Sequence, residues 1–352
     1  MERKKYAVQI DTLRFIAIIS IFMNHCKIMK LSPNLDGIYE SYFHYGGIGV
    51  EFFILLSGFM AAYSYKQISY PQYLKNRFFR IFPVHLFCLL LFIPLLVYWS
   101  SNWEIFFNYG LSALLLQSCL PSAAISINGP TWTLSTLWVL CFITPFLVRQ
   151  MKRIGITYLL FLFVFSLFVS FILNFFCYED NVWFFYMSPF YRIVTYTQGM
   201  ILAFLYVRSK EIGWNLSYTQ QSQLELFSVL LFVTELVCLS PYTNTGYYYT
   251  ASLSLIIFVF MLGGGILSKL LSNGYLKELS KLSFSFYVIH GFFCNFFTRN
   301  VIKIFGIETT DINLITIVIA NFILSLISAA LLRKYVEVNL TNYLRDKFFL
   351  CK

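Results

Sequence analysis

Apolar runs long enough to cross a bilayer recur along the whole of this sequence. A helix rises about 1.5 Å per residue and the hydrocarbon layer is roughly 30 Å thick, so about 20 apolar residues make one crossing. Ten such windows lie near residues 7 to 28, 46 to 64, 80 to 99, 131 to 148, 155 to 176, 190 to 207, 224 to 241, 247 to 267, 282 to 300 and 312 to 332. With 59 % of 352 residues apolar and only 12 % charged, a soluble globular domain is excluded. The expectation is an all-α polytopic membrane protein of about ten transmembrane helices. The first window is too long and bulky for a cleaved signal peptide and no small-x-small site follows it, so it reads as a helix of the mature protein. No Pro/Gly/Ser-rich linker, repeat or soluble domain interrupts the chain, which reads as one membrane domain over residues 1 to 352.

A net charge of +10 invites a nucleic-acid reading, but the bases follow topology instead. With the N-terminus in the cytoplasm, the inside segments hold twenty: Arg3, Lys4 and Lys5; Lys66, Lys75, Arg77 and Arg80; Arg149, Lys152 and Arg153; Arg208 and Lys210; Lys269, Lys277 and Lys281; Arg333, Lys334, Arg345, Lys347 and Lys352. The outside segments hold four, Lys27, Lys30, Arg299 and Lys303, and Arg14 and Arg192 remain at membrane depth. This alternation predicts both termini in the cytoplasm and membrane lipids, not nucleic acid, as partners. The eight cysteines show no C-x-x-C pair or metal-ligand spacing and read as small core residues, with Cys119 and Cys177 in outer loops able to pair.

Ionisable groups inside the bilayer cost about 2.5 to 3.5 kcal/mol each even on the lenient insertion scale, so they usually face a protein interior or a cavity. In "DTLRFIAIISIFMNHC", Arg14 and His25 are eleven positions apart, close to three turns, so Arg14, Ile18, Ile21 and His25 share one stripe. Either the stripe lines a path, with Arg14 nearer the cytoplasm, or Asp11 pairs with Arg14 and His25 sits at the outer interface. Glu51, in "HYGGIGVEFFILLSGF", falls at the depth of His25. It can orient the imidazole of a general base, or serve another buried donor. Arg77 and Arg80, in "YLKNRFFRIFPVH", stand three apart at the inner edge, suited to phosphate through planar guanidinium forks as well as to topological anchoring. His85 reads as a satisfied core histidine, whereas His290 lies midway along the ninth window, too deep for an interfacial role.

Taken in order, these elements resemble the acyltransferase 3 family of bacterial membrane-bound O-acyltransferases. Arg14 and His25 match its Arg-x10-His pattern; "GVEFFILLSGF" is similar to its "GVD-x-FF-x-x-SGF"; and "RFFRIFP" carries Arg77, Arg80 and Pro83. "TWTLSTLWVLCFITP", with Trp132, Leu134, Ser135, Trp138 and Pro145, resembles the tryptophan-to-proline segment. "RIVTYTQGM" supplies Arg192 and Gly199, and "LSFSFYVIH" ends at His290. The chain departs from the pattern at Glu51, where aspartate is usual, and at Leu137 and Thr195, where acids are frequent.

The resemblance implies transfer of an acyl group, usually acetyl, from acyl-CoA to a hydroxyl of an envelope or surface polysaccharide or its lipid-linked precursor, in a bacterial cytoplasmic membrane. Acetyl-CoA would be a donor substrate rather than a permanently bound cofactor, and no metal is implied. It also implies roles. Arg77 and Arg80 would dock the phosphates and Arg14 would line the thioester path. His25 would act as base with Glu51 supporting it, and Trp132, Ser135, Arg192 and His290 would lie on the acceptor side. Outer loops near 100 to 130 and 177 to 189, rich in Tyr, Trp and Asn, are expected to stack on a sugar. Some family members carry an extra extracytoplasmic hydrolase-like domain, for which this chain is expected to leave no room. The competing class is a transporter or flippase of lipid-linked sugars, which shares helix number and intramembrane charge but calls for inverted repeats or paired broken helices.

Overall fold

The computed structural model describes residues 7–98, 103–239 and 246–349. The inner charges expected at Arg3, Lys4, Lys5 and Lys352 lie outside the described residues, as does Cys351. The described chain is 85 % helical and without strands. It is built on α1 (Val8–His25), α2 (Ile48–Tyr63), α3 (Tyr70–Leu90), α4 (Trp132–Met151), α5 (Ile156–Cys177), α6 (Pro189–Glu211), α7 (Tyr218–Leu239), α8 (Thr250–Leu262), α9 (Ser283–Gly291) and α10 (Asp311–Leu332).

Six helical runs among the described residues are long and apolar enough to cross a membrane: Val8–Leu31, Pro33–Tyr63, Gly129–Met151, Ile156–Cys177, Tyr218–Leu239 and Asp311–Lys347. The other four predicted windows fall on helices that are broken, short or polar. α3 ends at Leu90 and its window resumes as Ile93–Tyr98. α8 has 13 residues and α9 only 9 before its hydrogen bonding changes. α6 is long enough but buries Arg192, Thr195 and Gln198. α8 and α9 are mostly buried among other helices and α6 turns its polar groups inward, which is why they can carry polar groups and irregular backbone, whereas α3 also turns Leu86, Phe87 and Leu90 outward.

The helices therefore sort into two shells. In α5 and α7 only 11 % of the most apolar window is buried, and Phe161, Phe165, Phe168 and Phe175 point outward, as lipid-facing side chains should. α2 and α4 bury 61 % of theirs. At the centre, α2 and α6 run parallel and touch backbone to backbone. A Cβ on Gly58 would sit 1.9 Å from the Tyr196 carbonyl oxygen, and one on Gly199 would sit 1.9 Å from that of Leu55. Only two glycines, each seven residues beyond a charged partner (Glu51 and Arg192), permit this approach.

Three stretches are π-helical: Tyr39–Phe43, Phe292–Phe297 and Arg333–Leu340. Such widened turns concentrate at functional sites. Here the second directly follows His290 and the third carries Glu337. Cys119 and Cys177 are both free thiols, so the pairing open to them from sequence is not made. Cys26, Cys88, Cys141 and Cys294 are buried as expected.

Candidate functional site

The stripe on α1 faces the protein. Ile18 and Ile21 are buried, and His25, half-buried, lies on the wall of a cavity of about 810 Å³ at the C-terminal end of the helix. Ile21 and Asn24 share that wall with Trp132 of α4 and with Tyr287 and Gly291 of α9. Arg14 is not on it. At the other end of α1, Arg14 Nη1 meets Asp11 Oδ1 at 3.0 Å, so the pairing at three-residue spacing forms while His25 still faces an open space.

Behind His25 stands His290, with ring centroids 5.3 Å apart. His290 is fully buried, stacked on Phe286 at 6.1 Å. Its Nδ1 lies 2.7 Å from the Tyr287 carbonyl oxygen. A carbonyl only accepts, so Nδ1 donates and Nε2 of the neutral ring keeps its lone pair. That Nε2 has no hydrogen-bond partner among the described residues. A buried acceptor left open beside a histidine on a cavity wall is the arrangement that calls for explanation.

Glu51 does not reach this pair. It is fully buried, and it bonds Arg192 Nη1 through Oε2 while Oε1 accepts from Thr195 Oγ1 at 2.8 Å and Thr250 Oγ1 at 3.0 Å. The expected role of Glu51 as support for His25 is thus corrected to the second reading, a partner for another buried donor. Arg192, expected on the acceptor side, is likewise sealed inside. Its Nε donates to the Tyr186 carbonyl at 2.6 Å, and its guanidinium carbon lies 4.4 Å from the Tyr247 ring centroid and 5.0 Å from that of Tyr186. Thr195, which stands where an acid is frequent in the resemblance, is a donor to Glu51 here. A second carboxylate in its place would confront Glu51 inside a closed pocket. The one-methylene-longer Glu51 lies against Gly246, where a Cβ would approach its own Cβ to 2.5 Å.

Of the remaining acceptor-side residues, Trp132 does line the cavity and Ser135 does not. Ser135 Oγ donates to the Leu115 carbonyl at 2.9 Å and accepts from Ser118 N at 3.1 Å, which fastens the loop that precedes α4 to that helix. That loop is fastened to α9 as well: Asn128 Nδ2 donates to the Val288 carbonyl at 3.0 Å, and Gly291 is bare enough for Asn128 and Pro130 to lie against it. Ser126 and Pro130 of that loop and Tyr186 and Met187 of the segment before α6 reach the cavity. His85 is buried with Nε2 2.7 Å from the Ser112 carbonyl, a core position as the sequence suggests, though its Nδ1 has no hydrogen-bond partner among the described residues.

At the N-terminal end of α1, Arg14, Arg77 and Arg80 come together. Arg80 lies within Coulombic range of Arg77, Arg14, Asp11 and Glu337. Arg77 is half-buried over the Tyr73 ring, 5.2 Å from its centroid, and Arg80 is exposed. Glu337 accepts from Ser285 Oγ at 2.7 Å and sits 3.9 Å from Arg333 Nη1. Sequence reasoning missed Glu337, because an acid among bases past the last apolar window reads as an ordinary cytoplasmic residue. It missed Tyr287 and Asn24 as well, though both are polar residues within a turn of the histidines it named.

The fold and these two clusters define an all-helical, multi-pass membrane protein with a basic patch at one end of α1 and a histidine-bearing cavity at the other. A family described as the acyltransferase domain matches residues 8–334, and the chain belongs to the acyltransferase 3 family. It is therefore a membrane acyltransferase. No curated protein and no solved structure matches it.

Proposed function

We propose that the chain transfers an acyl group, acetyl in the first instance, from cytoplasmic acyl-CoA to a hydroxyl of an envelope or surface glycan or its lipid-linked precursor, from a bacterial cytoplasmic membrane. In this reading all ten predicted windows cross the bilayer, both termini are cytoplasmic and residues 1 to 352 work as a single domain. The observation that carries it is His25, held half-exposed on the wall of the outer cavity by a helix whose other end joins the arginine cluster. Arg77 and Arg80 bind the phosphates of the donor, and Arg14 screens charge on the same face.

The chemistry asks little more of the chain. An acceptor hydroxyl in the cavity gives its proton to His25 as its oxygen attacks the thioester carbonyl. The tetrahedral oxyanion collapses with loss of the CoA thiolate, which takes a proton in turn. His290, its Nδ1 held by a backbone carbonyl, packs against the His25 ring and positions it. Glu51 and Arg192 act by holding α2 and α6 in register behind the site.

The deciding experiment incubates the purified protein in lipid nanodiscs with acetyl-CoA labelled in the acetyl group and a glycan extract from the parent strain. Label in base-labile ester on the glycan supports acyl transfer. Glycan moved across the bilayer with no label incorporated would establish the flippase reading instead.

A further inference from the structure

Four bases are expected on the outer side, and the structure treats them in two ways. Lys30 is neutralised by Glu40, with Asp36 Oδ1 4.0 Å from its Nζ. Lys27, Arg299 and Lys303 have no carboxylate within ion-pair distance among the described residues, and all three lie on the wall of the cavity that holds His25. Arg299 and Lys303 are four apart on the helix Thr298–Phe305 and so share a face, and Lys27 follows His25 by two residues. Among the described residues no Asp or Glu is on that wall. Bases on the outer side work against the bias that orients a membrane chain, and unpaired like charges repel one another. A concave, partly apolar wall focuses their field into the space beside the histidine.

We propose that the acceptor entering this cavity is anionic, a glycan carrying phosphate or carboxylate groups close to the hydroxyl that is acylated. The inference rests on the acyl-transfer reading for the word acceptor, but the charge selectivity of the cavity can be measured without any transfer. Lys27, Arg299 and Lys303 hold the charged group at the mouth while the neighbouring hydroxyl reaches His25. Trp132 and Tyr287 share that wall and add apolar surface for the sugar.

The test titrates the protein, in nanodiscs of phosphatidylcholine, with three oligosaccharides of one backbone: neutral, substituted with glycerol phosphate, and containing glucuronic acid. Tryptophan fluorescence reports binding, since Trp132 is in the wall. The better charged probe should bind at least about tenfold more tightly than the neutral one, about 1.4 kcal/mol. The difference should shrink as salt rises from about 50 to about 500 mM. Whichever charged probe binds better names phosphate or carboxylate as the source. Arg299→Glu with Lys303→Glu should erase the preference, whereas Lys30→Glu should leave it. If charge reversal prevents insertion, Lys27→Gln, Arg299→Gln and Lys303→Gln together give the same reading. Equal binding of all three probes, or a preference that survives removal of these bases, overturns the inference. So does charge reversal that alters only the affinity for phosphatidylglycerol nanodiscs, which would assign the bases to lipid. The His25→Ala protein must show the same preference. Charged probes that bind selectively yet receive no acetyl from wild type would sink the acyl-transfer reading and leave the anion selectivity standing.

Discussion

Two pairs of ionisable side chains sit in the upper half of this protein, and they are finished differently. Glu51 and Arg192 are fully buried against each other, with two threonine hydroxyls on the carboxylate and the rings of Tyr186 and Tyr247 over the guanidinium. His25 and His290 share a ring contact, but one faces a cavity and the other keeps an unpartnered Nε2. Both pairs look alike in a sequence, as polar groups in apolar helices, and both are costly to place there. The difference teaches that burial of charge does not by itself mark a reactive site. What separates the two pairs is access: His25 opens onto the cavity, whereas neither Glu51 nor Arg192 is on its wall.

The comparison can be broken at either pair. The largest expected effect is at His25: His25→Ala should reduce acetyl transfer by about 10² to 10⁴, the usual contribution of a general base. Its thermal midpoint in detergent should stay near that of wild type. A stable variant with near-parental acetyl ester by NMR of the glycan would return the stripe on α1 to architecture. Next comes Arg192→Ala, which strands a buried carboxylate and should cost about 3 to 5 kcal/mol of stability. Glu51→Leu combined with Arg192→Met should recover much of that loss, because an apolar pair needs no partner. If the double variant is stable but inactive, the ion pair belongs to the chemistry and the contrast fails.

Smaller effects sharpen the contrast instead. Arg77→Ala with Arg80→Ala should raise the apparent KM for acetyl-CoA about tenfold, as lost phosphate contacts imply, and leave kcat largely intact. A fall confined to kcat would move the donor phosphates elsewhere. Arg14→Lys keeps the charge and loses the planar fork, so a few-fold loss is expected in the same assay. His290→Gln should lower kcat modestly and displace the pH profile of transfer without changing KM. An unchanged profile would reduce His290 to packing.

How far the sequence could be read follows from the same physics. Windows of apolar residues located the helices, because bilayer thickness sets their length. They could not separate lipid-facing α5 from enclosed α6, since hydropathy does not reveal what lies beside a helix. The stripe from Arg14 to His25 was legible because its spacing follows the helical period. The partner of Glu51 was not. Depth alone suggested His25, and only the parallel packing of α2 on α6, set by Gly58 and Gly199, brings Arg192 and Thr195 to it. The π-helical turns at Phe292–Phe297 and Arg333–Leu340 had no signal in residue spacing.

Glu51 and Arg192 are 141 positions apart in the chain. At about 5 to 20 residues per second the ribosome needs roughly 7 to 28 s to travel that far. During that interval α2 has been made and α6 has not, and a carboxylate at membrane depth without a partner works against insertion by a few kcal/mol. Until α6 arrives, the carboxylate lacks the guanidinium it bonds in the folded protein. A bond that is inert in the finished protein is thereby a clock for its biogenesis, because the centre of the molecule cannot close before the ribosome has passed the sixth helix.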